Sequence, residues 1–101
     1  MKRMVRYKLK ADCVAENERL VARVYEELHR LKPQGLRYAT FRLDDGVSFV
    51  HISSHEEADG TNALTSLPVF KEFTAGIRDR CEELPVTTEL KEIGSYGFFG
   101  G

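Results

Sequence analysis

The sequence predicts an α+β fold in which four strands and two helices follow one another in the order βαββαβ. Three features predict it. In residues 3–11 apolar and basic side chains alternate, as in a strand with one buried face. Residues 14–32 repeat apolar side chains at helical spacing. In the middle of the chain, Asp44-Asp45-Gly46 separates two strand-like runs, as a tight hairpin turn does.

The first strand and the first helix each have one apolar side. The inward-facing side chains of the strand are Val5, Tyr7 and Leu9. Those of the helix are Leu20, Val21, Val24, Leu28 and Leu31. Asp12 stands between the two elements and is a residue type that caps helices through its side-chain oxygen. Pro33 and Gly35 are expected to end the helix.

The second half of the chain completes the pattern. The hairpin strands are residues 36–43 and 47–54, followed by a polar loop over residues 55–66 with one helical turn around residues 62–64. Pro68 suits the first turn of a second helix, which Pro85 is expected to end. Its inner stripe is Phe70, Phe73, Ile77 and Cys81. Residues 86–93 form the fourth predicted strand.

This order predicts a ferredoxin-like arrangement, an antiparallel four-stranded sheet with both helices on one face. Both hairpin strands carry apolar groups on both faces. In the first, Tyr38, Thr40 and Arg42 alternate with Ala39, Phe41 and Leu43; in the next, Phe49 and His51 alternate with Val50 and Ile52. The helices cover one face of the sheet and packing of two copies would cover the other, so we expect a homodimer. The aromatic, glycine-rich tail of residues 94–101 either docks on the partner or folds back on its own chain.

Composition limits the classes of function. The chain has 101 residues, which fits a single domain over residues 1–101. Its net charge is −1, from 15 basic and 16 acidic residues, which argues against a nucleic-acid partner. It has no apolar run long enough for a membrane span or a signal peptide. Cys13 and Cys81 are isolated, so we expect free thiols and a cytoplasmic location.

Two local patterns resemble a known superfamily. Residues 45–52, Asp-Gly-Val-Ser-Phe-Val-His-Ile, are similar to the turn and third strand of the dimeric α/β-barrel superfamily, specifically its antibiotic biosynthesis monooxygenase-like domains. Residues 67–73, Leu-Pro-Val-Phe-Lys-Glu-Phe, are similar to the start of the second helix of those domains. The resemblance implies a homodimer whose sheets form a shared barrel. Some members oxidise phenolic or quinol-like compounds with O₂ and no cofactor, whereas others degrade haem, isomerise lactones or have no known activity.

The chain departs from that family at three places. Many active members have a Glu and then a Trp at the end of the third strand, where this chain has Ser53 or Ser54 and then His55. A histidine often found ahead of the second helix corresponds to Leu64. The chain has no Trp, which disfavours haem degradation.

His51 is the candidate catalytic residue. It lies in the middle of the third strand, and a neutral imidazole there can remove a phenolic or enolic proton near neutral pH. The alternative is a structural histidine, hydrogen-bonded to a neighbour. A metal site with His55 and Glu56 is not expected, because residues four apart on a strand lie roughly 13 Å apart.

Five further residues are candidates for binding a small aromatic substrate: Tyr7, Tyr38, Arg42, Phe49 and Phe70. Tyr7 and Tyr38 can orient a substrate hydroxyl, Arg42 can hold an anionic group, and the two phenylalanines can form walls. Each also has a structural interpretation, as packing aromatics or, for Arg42, as an ion-pair partner.

Three functions remain open. The first is a cofactor-independent monooxygenase acting on a small aromatic or quinol-like compound, an oxidoreductase with His51 as base. The second is a non-catalytic small-ligand-binding or stress-associated dimer that uses the same pocket. The third is a dimerising module without a ligand. Neither a cofactor nor a metal is expected for any of them.

Overall fold

The computed structural model describes residues 1–55 and 63–98. Its strands are β1 (Lys2–Leu9), β2 (Leu36–Arg42), β3 (Ser48–His55) and β4 (Cys81–Leu90). Its helices are α1 (Val14–Leu31), α2 (Ala63–Ser66), α3 (Pro68–Ala75) and α4 (Ile77–Arg80), with a 3₁₀ turn at Ala11–Cys13 before α1.

The four strands form one sheet in the order β2-β3-β1-β4, with every neighbouring pair antiparallel. This is the predicted ferredoxin-like arrangement, which is therefore confirmed. His51 lies at the centre of the sheet, opposite Val5 of β1 on one side and Thr40 of β2 on the other. The register therefore brings side chains from three strands around this histidine.

Helix α1 packs its apolar stripe on the sheet, with Leu20 and Val24 buried. The predicted cap at Asp12 is wrong: that residue lies inside the 3₁₀ turn, and no side chain caps α1 at Cys13. The helix ends where Lys32 adopts the left-handed conformation and donates its backbone N–H to the carbonyl of Leu28.

The predicted hairpin turn is confirmed, and Asp45 holds it. Its carboxylate accepts hydrogen bonds from the backbone N–H of Val47 and from both the N–H and the hydroxyl of Ser48. These bonds lower the pKa of Asp45 to about 2. Gly46 has φ of +78°, which favours glycine at this position.

The second half of the chain departs from the predicted single helix between Pro68 and Pro85. The helix breaks at Gly76, and Cys81 already belongs to β4. Pro85 is accommodated within β4 because this strand lies at the edge of the sheet, where a missing N–H leaves no neighbour unpaired. The fourth strand therefore starts earlier than predicted and ends at Leu90. The predicted helical turn corresponds to α2, while residue 62 lies outside the described residues.

The sheet separates two unlike surfaces. Its helix-covered face contributes Tyr7, Leu9, Phe49 and His51 to the core. On the opposite face Phe41 is 46% exposed and Val86 is 63% exposed. Phe98 of the tail lies beside a groove on that face, next to residues of β2 and β3. The second face therefore carries apolar side chains, as predicted, and no helix within residues 1–55 and 63–98 covers it.

The sequence also predicts free thiols and the absence of a membrane-spanning segment. Cys13 and Cys81 are both free, and Cys81 is buried. In the described ranges, no helix is both long and apolar enough to cross a bilayer.

Candidate functional site

A cavity of about 280 Å³ lies between the helix-covered face of the sheet and the helices that follow β3. Tyr7, Tyr38 and His51 form a polar part of its wall. Leu64, Phe70, Phe73 and Ile77 are among its apolar lining. Its volume is close to the lower limit of about 300 Å³ for small-molecule pockets, so it suits a compact, largely apolar ligand.

His51 is held on both ring nitrogens. The Tyr7 hydroxyl lies 2.7 Å from Nε2, and the Tyr38 hydroxyl lies 2.5 Å from Nδ1. Thr40 Oγ1 is a second neighbour of Nδ1, at 3.1 Å. Only 5% of His51 is exposed, and this burial lowers its pKa to about 4. The imidazole is therefore neutral at pH 7.

A second chain of hydrogen bonds leads from Tyr7 into the core. The amide of Asn17 donates from Nδ2 to the Tyr7 hydroxyl oxygen at 2.9 Å. Its Oδ1 accepts a hydrogen bond from Nε of Arg80 at 3.2 Å. Because a guanidinium only donates, Arg80 fixes which end of the amide faces Tyr7. Arg80 is itself anchored by a hydrogen bond to the carbonyl of Phe73 at 2.7 Å.

These contacts determine where the protons lie. The Tyr7 oxygen accepts from Asn17, so its own hydrogen is directed to Nε2 of His51. A neutral imidazole has one acceptor and one donor nitrogen, so the proton of His51 is on Nδ1 and points to Tyr38 and Thr40. Burial raises the pKa of both Tyr7 and Tyr38, which keeps their hydroxyls protonated at neutral pH.

Aromatic stacking holds the two tyrosines in place. The Tyr7 ring stacks on Phe49 with centroids 5.6 Å apart, and the Tyr38 ring stacks on Tyr25 at 5.2 Å. Tyr25 also hydrogen-bonds to Thr40 at 2.8 Å. The hydroxyls are thus presented to His51 by rings with little freedom to rotate away.

The structure brings most of the predicted site residues together. Tyr7, Tyr38, His51 and Phe70 line the cavity. Phe49 does not line it and instead supports Tyr7 from behind. Arg42 lies away from it, in an exposed ion pair with Glu18 at 2.8 Å.

Several polar residues of the site were missed from the sequence, among them Arg3, Asn17 and Arg80. Arg3 lines the cavity, while Asn17 and Arg80 are buried behind Tyr7. Each carried a signal. Arg3 has the same strand parity as Val5 and Tyr7, Asn17 stands three residues before Leu20, and Arg80 three after Ile77. All three positions therefore face inward, where a polar side chain is uncommon.

The described residues include no group of three His, Cys, Asp or Glu side chains arranged to hold a metal ion. His51 and His55 both lie on the extended strand β3. Glu56, the third residue considered for a metal site, lies outside the described residues.

No protein-family model matches the chain, and no curated protein matches its sequence. Solved structures do match. A putative antibiotic biosynthesis monooxygenase from Bacteroides thetaiotaomicron superposes with a TM-score of 0.78 at 14% identity, over 92% of this chain and 89% of the other. A second, from Nitrosomonas europaea, gives 0.75 at 14% identity, over 96% and 91%.

The chain has the antibiotic biosynthesis monooxygenase-like fold. The resemblance inferred from its two sequence patterns is confirmed at this level. SnoaB from Streptomyces nogalater, a cofactor-independent oxygenase solved as a mutant, is also similar, with a TM-score of 0.63 at 19% identity over 90% of this chain and 92% of that one. At 14–19% identity these superpositions establish the fold alone, so the activity of the chain has to be argued from its own site.

Proposed function

We propose that the protein is a cofactor-independent oxygenase acting on a small hydroxylated aromatic or quinol-like compound in the cavity beside His51. The observation that carries the proposal is the hydrogen-bonded set Tyr7–His51–Tyr38 at the wall of a largely apolar cavity. The apolar walls suit the rings of such a compound, and the polar part suits its hydroxyl.

In this proposal His51 acts as a base through Tyr7. The Tyr7 oxygen takes the substrate proton on its remaining lone pair while its own hydrogen moves to Nε2 of His51. Burial disfavours the resulting imidazolium, but the substrate anion formed beside it compensates for that cost. Tyr38, Phe70 and the other cavity walls would position the substrate.

The substrate anion then reacts with O₂. For a phenol converted to a quinone, one oxygen atom becomes the new carbonyl and the other leaves as water. The two hydrogens lost by the substrate enter that water, and the substrate supplies all four electrons. The reaction therefore requires no flavin, metal or external reductant.

A specific observation favours the alternative, a non-catalytic binder of the same kind of compound. A base with a pKa of about 4 is weak for a phenolic proton, and both ring nitrogens of His51 already have partners. Such a site would still bind a hydroxylated ring.

We propose further that the protein is a homodimer that pairs the uncovered faces of two sheets. Phe41 and Val86 are exposed on that face, and the groove beside Phe98 lies on it. Pairing would remove this apolar surface from water.

A buried free thiol at Cys81 supports a reducing, cytoplasmic setting.

Oxygen uptake tests the enzymatic proposal. A panel of hydroquinones, naphthols and anthrones is offered to the wild-type protein, to His51→Gln and to His29→Ala, which removes an exposed histidine of α1. We expect uptake by the wild type and by His29→Ala and a loss of 100-fold or more in His51→Gln, as is typical on removing a general base (about 10²–10⁴). Binding without uptake would select the binder, and equal rates in all three proteins would remove His51 from the mechanism.

A further inference from the structure

Arg3 introduces a positive charge into an otherwise uncharged cavity wall. It lies on the helix-covered face of β1, together with Val5 and Tyr7, and it is only partly exposed. Among the described residues that line the cavity, it is the one side chain charged at neutral pH, because His51 is neutral. None of these lining residues is acidic.

The guanidinium has no counter-ion among the described residues. Glu89 stands directly opposite Arg3 on β4, but it is exposed, does not line the cavity and forms no ion pair with Arg3. By contrast, Arg23 and Arg42 each form an ion pair with a carboxylate at 2.8 Å. A partly buried cation without a partner is costly, so a ligand anion at this position would be stabilised.

We propose that the cavity takes a small aromatic carboxylate, with the ligand carboxylate on Arg3 and its hydroxyl at Tyr7 and His51. The Cα atoms of Arg3 and Tyr7 are four strand residues apart, roughly 13 Å, with Val5 between them. A one- or two-ring compound with polar groups at opposite ends suits this spacing.

A carboxylate fits Arg3 better than a phosphate does. The planar guanidinium presents two parallel N–H donors that match the two oxygens of a carboxylate. One arginine balances one negative charge, whereas a phosphate dianion would leave a second charge uncompensated in an apolar cavity.

This inference rests on the ligand-binding part of the proposed function and not on the oxygen chemistry, so its test is a binding measurement without oxygen. Calorimetry compares a hydroxynaphthoate, with hydroxyl and carboxylate on opposite rings, with the naphthol that lacks the carboxylate. The proteins are the wild type, Arg3→Gln, Arg3→Lys and the control Arg6→Gln. The control Arg6→Gln removes the same charge from the same strand, but Arg6 lies on the face of the sheet opposite to the cavity.

We expect the wild type and Arg6→Gln to bind the hydroxynaphthoate with roughly tenfold or higher affinity than the naphthol, because this is the typical contribution of hydrogen bonds to a charged group. Arg3→Gln should bind the two compounds about equally, and Arg3→Lys should keep part of the preference because the charge remains but the paired donors are lost. Circular dichroism of each variant establishes that it is folded.

Equal binding of both compounds to the wild type, or the same loss in Arg6→Gln as in Arg3→Gln, would overturn the inference while leaving the proposed function standing. A preference that depends on Arg3 without any oxygen uptake would support the inference and contradict only the enzymatic proposal. Failure of the wild type to bind either compound would overturn both.

Discussion

The Tyr7 hydroxyl lies 2.7 Å from Nε2 of His51 and is at the same time an acceptor for the amide of Asn17. Together these contacts orient the hydroxyl: its oxygen accepts a hydrogen bond from the Asn17 amide, and its hydrogen is donated to Nε2 of His51. The tautomer of the neutral His51 ring is therefore set by Asn17, which acts through Tyr7 and does not itself contact the ring. Two of the predictions below follow from this relationship.

The first prediction concerns the direction of the Tyr7 hydrogen bond. Asn17→Asp replaces an amide donor by a carboxylate that only accepts, so Tyr7 should donate to position 17 and accept from His51. The ring proton of His51 then moves from Nδ1 to Nε2. Ring ¹⁵N chemical shifts measure this tautomer, and an unchanged Nδ1–H form in Asn17→Asp would show that Asn17 does not set it.

The second prediction isolates the Tyr7 hydroxyl. Tyr7→Phe keeps the ring that stacks on Phe49 but leaves the Asn17 amide and Nε2 of His51 without their partner. We expect a loss of about 1–3 kcal/mol in the free energy of unfolding, measured with urea. Tyr96→Phe is the matched control, since Tyr96 is 99% exposed and should lose almost nothing. Equal losses in the two variants would mean that the buried hydrogen bonds contribute nothing net.

The third prediction is a pH dependence of stability from His51. Burial lowers its pKa from 6.5 to about 4, so between these values the unfolded chain binds a proton that the folded protein does not. Stability should therefore fall as the pH is lowered from 6.5 to 4, by at most about 3 kcal/mol.

The comparison with His51→Gln identifies the source of that fall. Asp45 also has a lowered pKa, but its contribution is lost only below pH 3.8, towards pH 2, outside this window. The difference in unfolding free energy between wild type and variant should shrink from pH 7 to pH 4. A constant difference would contradict the neutral, buried histidine, as would an NMR titration of His51 with an ordinary midpoint.

The fourth prediction tests the homodimer. Phe41→Asp places a charge on the uncovered sheet face and should give a monomer in light scattering after size exclusion. Leu31→Asp is the control, because Leu31 is equally exposed, at 46%, but lies at the end of α1. A wild-type monomer at micromolar concentration, or a dimer in both variants, would contradict pairing through this face.

The order of elements along the chain and the hairpin were predictable because the two-residue period of a strand and the Asp-Gly turn are local signals. The extent of the second helix was not, because the segment between Pro68 and Pro85 was predicted as one helix although it contains Gly76. A Cβ there would lie 2.8 Å from the Arg80 guanidinium, so Gly76 also makes room for Arg80. That requirement comes from a side chain placed by the fold.

The site was predictable only in part for the same reason. His51, Tyr7 and Tyr38 stand out as aromatic or titratable residues at inward positions of strands. The link between Asn17 and Arg80 joins residues 63 positions apart, and no local pattern indicates it. Arg3 shares the inward parity of β1, but the inward face of that strand was predicted from its apolar side chains Val5, Tyr7 and Leu9 alone.

NMR titration of the wild-type protein with the hydroxynaphthoate, under nitrogen, determines whether a hydroxylated aromatic ligand binds beside the Tyr7–His51–Tyr38 set. We expect the largest shifts at Arg3, Tyr7, His51 and Phe73, which line the cavity. Largest shifts at His29, Lys32 and Leu36, which line a separate groove between α1 and β2, would contradict it.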